Sequence, residues 1–146
     1  MRVIGFNLSK VLADRHPDFK QGAVINTDIE FTNVEKEEVE ILKETEASKI
    51  SFQFSVSYLD SKEKKAKKQA EIVIEGNIIL SASSDEIKEL AKAWKKRELP
   101  NNFKVPLFNL ILKKCTPKAI QLEDELNLPT HIPLPQLRPQ TQNQQP

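Results

Sequence analysis

Apolar residues recur at every second position in four stretches of the first 80 residues, and at every third or fourth position after that. The first period is that of a half-buried strand and the second that of an amphipathic helix. Strand one is expected over Ile4, Phe6 and Leu8, with Val11 and Leu12 extending it past a bulge. Pro17 then removes a ladder donor and restricts His16 to extended backbone. Ala23, Ile25, Thr27, Ile29 and Phe31 predict strand two. Strand three alternates most strictly, with Ile50, Phe52, Phe54, Val56 and Tyr58 against Ser51, Gln53, Ser55 and Ser57. Strand four carries Ile72, Ile74, Ile78 and Leu80 on one face with Gly76 in the same row, a position that suits a bulge or a close backbone approach. Residues 33–47 are acidic and lack a period, so they read as a connection with Val34, Val39 and Leu42 as anchors. The lysine-rich run 60–68 reads as a hairpin loop.

Ser83 and Glu86 have the spacing of a capping box, which predicts a helix carried by Ile87, Leu90, Ala91 and Trp94 and stopped by Pro100. A second helix is expected from Pro106, lined by Leu107, Leu110, Ile111 and Cys115, with Thr116-Pro117 kinking or ending it before a third segment of Ala119, Leu122 and Leu126. Strands grouped before helices imply an α+β fold: a four-stranded antiparallel meander followed by two or three helices on one face. We divide the chain into one α+β domain over residues 1–128, an extended proline-rich arm over 129–139, and a disordered tail over 140–146.

At 146 residues the chain suits one core. Its net charge of +1 supplies no global field toward nucleic acid or an anionic membrane. One cysteine, no apolar signal segment and no stretch near the roughly 20 apolar residues that span a bilayer point to a cytoplasmic, reducing location.

Candidate chemistry is sparse. His16 and His131 each neighbour a proline and read as exposed loop histidines, and Cys115 reads as a buried structural thiol. One cysteine and two distant histidines give no metal-site spacing, and three isolated glycines give no phosphate loop. We therefore expect a non-enzymatic binding module with no cofactor and no metal. Within the acidic stretch 35–46, the run Glu37, Glu38, Glu40, Glu44 and Glu46 reads as solvated surface. The basic loop 62–68 is the one local patch suited to phosphates, although it holds no arginine and no aromatic residue. A small nucleic-acid-associated protein using that loop is one alternative function, and a subunit with one fixed protein partner is another.

The order of four strands, a helix, Leu107-Phe108, a second helix and then Leu128-Pro129 with Ile132-Pro133-Leu134-Pro135 resembles the SecB export chaperone and its archaeal SecB-like relatives. Phe6-Asn7-Leu8-Ser9-Lys10-Val11 looks like the family's first strand, and Gly76-Asn77-Ile78-Ile79-Leu80 like the end of its fourth. The resemblance implies a homodimer or homotetramer that holds unfolded or pre-export polypeptides without ATP. Their apolar density makes Phe103, Phe108, Leu128, Ile132, Leu134 and Leu137 the expected client contacts, and the helix stripes make Ile87, Leu90, Trp94, Leu107 and Ile111 the expected oligomer contacts. The Gln/Pro tail departs from the Cys/His metal-binding tail that SecB-type export chaperones can carry, which puts delivery to a translocation motor in doubt.

Overall fold

Among the described residues four long strands precede two helices: β1 (Arg2–Arg15), β2 (Val24–Glu37), β3 (Glu46–Leu59), β4 (Lys68–Ala82), α1 (Ser84–Trp94) and α2 (Asn101–Glu125). The computed structural model describes residues 1–38 and 45–139. Val39, Leu42 and the tail from residue 140 lie outside that range.

The strands form one antiparallel sheet in the order β1-β4-β3-β2. The expected meander therefore holds for β2, β3 and β4 only, because β1 pairs with β4 at the far edge, in a Greek-key arrangement. Alternation specifies which face of a strand is buried but not which strand it pairs with. Burial decides the order: β3 and β4 carry the unbroken apolar rows and take the centre, while the more charged β1 and β2 take the edges. The β1–β2 link is tied down where His16 N–H donates to the Gln69 carbonyl at 2.9 Å and Lys20 N–H to Gln69 Oε1 at 2.7 Å.

Ile50, Phe52, Phe54, Val56 and Tyr58 of β3 face the helices beside Ile72, Ile74, Ile78 and Leu80 of β4, and all are at most 1 % exposed. Gly76 shares this row. A Cβ there would stand 2.2 Å from the Asn7 carbonyl oxygen and 3.1 Å from Phe52 Cζ, so only glycine lets β1 approach this closely. Strand takes up most of the described part of the expected connection over 33–47: β2 continues to Glu37, β3 begins at Glu46, and Ser48 Oγ donates to the Glu35 carbonyl.

Helix α2 covers this row with residues spaced four apart, Phe103, Leu107, Ile111, Cys115, Ala119 and Glu123, each fully buried. It begins five residues earlier than the sequence suggested, and it runs through both Pro106 and Pro117 without ending. Both prolines are exposed, on the side of the helix away from the sheet, where water can satisfy the carbonyls they leave unpaired. α1 starts as expected, with Ser83 and Glu86 forming the capping box.

Candidate functional site

An open cleft of about 520 Å³ lies between the outer edge of β2 and the α1–α2 connection. Its apolar wall is built from Ile29 and Phe31 of β2, Trp94 at the end of α1, and Phe108 of α2. Phe31 and Phe108 stack with ring centroids 5.0 Å apart. Two cations lie over the aromatic faces, with the Arg97 guanidinium 5.2 Å from Trp94 and Lys104 Nζ 5.6 Å from Phe108. Arg97 is held there because the chain turns into the left-handed region at its φ of 60° as α1 ends. The site thus combines aromatic surface, cations and the outer side of an edge strand, whose backbone groups on that side can pair with an added extended chain.

A second constellation roots the arm. Asn127 takes φ 52°, and Leu128 N–H and Asn127 N–H donate to the Glu123 and Asp124 carbonyls, which ends α2 in a Schellman turn and reverses the chain. Arg15 donates to the Leu126 and Asn127 carbonyls at 2.8 and 3.1 Å, a cation placed where the helix dipole favours one. Immediately beyond, the Glu123 carboxylate receives Tyr58 Oη at 3.1 Å and the His131 N–H at 3.3 Å, and it meets His131 Nδ1 at 2.8 Å. The single Tyr58 hydroxyl proton is shared between this carboxylate and the Pro129 carbonyl, which also lies within hydrogen-bond distance of Oη. Burial, with the Glu123 carboxylate beside it, pushes the Tyr58 phenol well above its usual range. His131 meets Phe54 edge-on at 5.9 Å.

His131 is therefore not the exposed loop histidine that its proline neighbours suggested, since its side chain is 2 % exposed and Glu123 beside it is 0 % exposed. A buried carboxylate needs donors, and the arm supplies two of the three. His16 is exposed, and Cys115 is buried with its thiol pushed up to about 11 by that burial.

Of the residues singled out from sequence, Phe108 and Trp94 come together in the cleft. Phe103, Leu107, Ile111, Ile87 and Leu90 lie inside the chain's own core, where they are covered without any client or second subunit. Leu128 is buried at the root of the arm, while Ile132, Leu134 and Leu137 are exposed. Phe31, Arg97 and Lys104 of the cleft were not legible as a group, nor were Tyr58, Glu123 and His131. A signal for the second group exists in Glu123, an acid occupying the next place in the four-residue stripe that runs from Phe103 to Ala119. Lysines 62, 64, 65 and 67 of the β3–β4 loop are exposed, as is Lys68, which the structure places at the start of β4 and pairs with Glu71 at 2.8 Å. Among the described residues no three His, Cys, Asp or Glu side chains cluster as metal ligands, and no helix is long and apolar enough to cross a membrane.

No family model matches the sequence, and no curated protein matches it at a significant level. Among solved structures the chain is similar to the Mycobacterium tuberculosis SecB-like chaperone in complex with a ChAD peptide from the HigA1 antitoxin, with a TM-score of 0.47 and 14% identity over 95% of this chain and 92% of that one.

Proposed function

We propose that the protein is an ATP-independent holdase that takes extended apolar stretches of unfolded polypeptide into the cleft between β2 and the α1–α2 connection. The observation that carries this reading is the open aromatic wall of Phe31, Trp94 and Phe108 beside an edge strand. Aromatic surface binds side chains of many shapes, and an edge strand binds backbone, which every client has, so the pairing suits recognition without sequence. Arg97 and Lys104 add a preference for segments whose carbonyls or acidic residues flank the apolar stretch. The reading carries with it a cytoplasmic location, a homo-oligomeric assembly and a non-catalytic role; whether clients are destined for export is a further step in the same proposal.

The deciding measurement is suppression of aggregation of several unrelated unfolded proteins, without nucleotide. Protection of all of them at near-stoichiometric amounts supports the holdase. Protection of one alone points to a subunit with a fixed partner, and protection of none removes the reading.

A further inference from the structure

The arm has a direction. Its Pro129 carbonyl meets Tyr58, and two residues later His131 meets Phe54, so the arm doubles back beside α2 and descends β3 by four residues. Tyr58 and Phe54 pair across the sheet with Ile25 and Ile29 of β2. Ile29 already lines the aromatic cleft, and Phe31 follows two residues on. The arm is thus anchored over β3, the immediate neighbour of the strand that forms the cleft wall, and its two contacts run along β3 toward the cleft end of that strand. From His131 to Leu137 the chain spans about 19 Å as polyproline helix, enough to cover the cleft. Yet its apolar side chains are uncovered, with Ile132 37 %, Leu134 47 % and Leu137 103 % exposed, and the cleft stands open.

We propose that Ile132–Leu137 is an internal strap that folds into the aromatic cleft of its own chain, with the His131–Glu123 contact as its fixed hinge, so that a client must displace it. This rests on the reading of the cleft as the client site. The prolines at 133 and 135 leave the strap little chain entropy to lose on docking. Its tether gives an effective concentration in the millimolar range, ahead of any second copy at ordinary concentrations.

Trp94 is the only tryptophan and lines the cleft, which supplies a reporter that needs no client. In Leu134→Cys carrying a nitroxide, Cys115 being buried and unlabelled, Trp94 emission should be quenched to the same degree at all protein concentrations. Adding Glu123→Gln, which weakens the hinge, should at least halve that quenching. Absence of quenching, quenching that grows with protein concentration, or quenching in oligomers mixed from nitroxide-carrying Trp94→Phe chains and unlabelled chains that keep Trp94, where only the arm of a second copy can be responsible, overturns the strap. A parallel titration with an unfolded apolar peptide should show Leu134→Ser/Leu137→Ser binding about three- to tenfold more tightly than the natural chain, as expected when a tethered competitor is removed. Measurable binding that is equal or weaker in the double variant overturns the strap as well. Concentration-independent quenching with no peptide binding in either form keeps the strap and removes the client reading.

Discussion

His131 Nδ1 lies 2.8 Å from Glu123 Oε2 across the turn that ends α2, and neither side chain reaches water to any useful extent. The carboxylate ends a helix stripe that is otherwise apolar, so the fold has placed one acid where packing alone would favour leucine. Removing a single partner of a buried pair leaves the other desolvated and unmatched, whereas replacing both by apolar groups can be nearly neutral. His131→Ala is expected to cost about 3 to 5 kcal/mol in chemical unfolding and to expose the arm to proteolysis. Glu123→Leu/His131→Leu should recover most of that stability, since Tyr58 keeps the Pro129 carbonyl as acceptor. A double variant as unstable as the sum of the single ones would show that the two residues act independently.

Gly76 and Asn7 set a second test. The Asn7 carbonyl occupies the space a side chain at position 76 would need, and the obstruction is backbone, which cannot rotate away. Gly76→Ala should cost about 1 to 3 kcal/mol, in line with overpacking of a core. Because the clash lies between β1 and β4, amide exchange should accelerate along β1 while β2 and β3 keep their protection. Uniform acceleration across the sheet would place the strain elsewhere.

Much of this architecture is legible in the sequence because burial leaves a period. The rows Ile50 to Tyr58 and Ile72 to Leu80, the Gly76 approach and the Ser83–Glu86 cap all follow from local chemistry, and the structure shows each of them. The position of β1 is not legible, since its alternation is satisfied equally well beside β2 or β4. The course of α2 through Pro117 depends on which side of the helix faces water, a property of packing and not of the dipeptide. The cleft draws Phe31, Trp94 and Phe108 from three elements, and the arm anchor joins Tyr58 to residues 65 and more positions away. No local pattern announces such long-range meetings.

Cys115 gives a pH dependence with a definite sign. Burial disfavours its thiolate and pushes the thiol up to about 11, so the folded chain holds this proton more tightly than the unfolded chain does. Such a group contributes stability fully below the ordinary thiol range, and the contribution is lost as pH rises toward the folded value. The alkaline limb of the stability profile should therefore be shallower in Cys115→Ala, measured between pH 8 and about 11. In the native protein a disulfide reagent should fail to modify the thiol at neutral pH and should react fully once the chain is unfolded. Rapid native labelling would contradict the burial.

Phe108 separates the cleft from the core. It is half-buried and stacks on Phe31, while Phe103, five residues earlier and also an aromatic of α2, is wholly enclosed. The two residues therefore predict opposite failures. Phe103→Ser puts an unpaired hydroxyl and a cavity into the core and should cost stability on the order of 3 to 5 kcal/mol, with loss of holding following only from loss of folding. Phe108→Ser should stay folded, since the side chain is only half-buried and lines an open cleft, and its melting curve should shift by only a few degrees. If the cleft holds clients, the aromatic anchors carry most of the affinity, and losing one should weaken client binding about tenfold or more. Neutralising Lys62, Lys64 and Lys65 in the exposed hairpin loop should leave that affinity unchanged within about twofold at moderate salt, where exposed charges more than about 10 Å away are screened. A Phe108→Ser protein that binds clients as the natural chain does, or a lysine-loop variant that loses them, would move the binding surface out of the cleft.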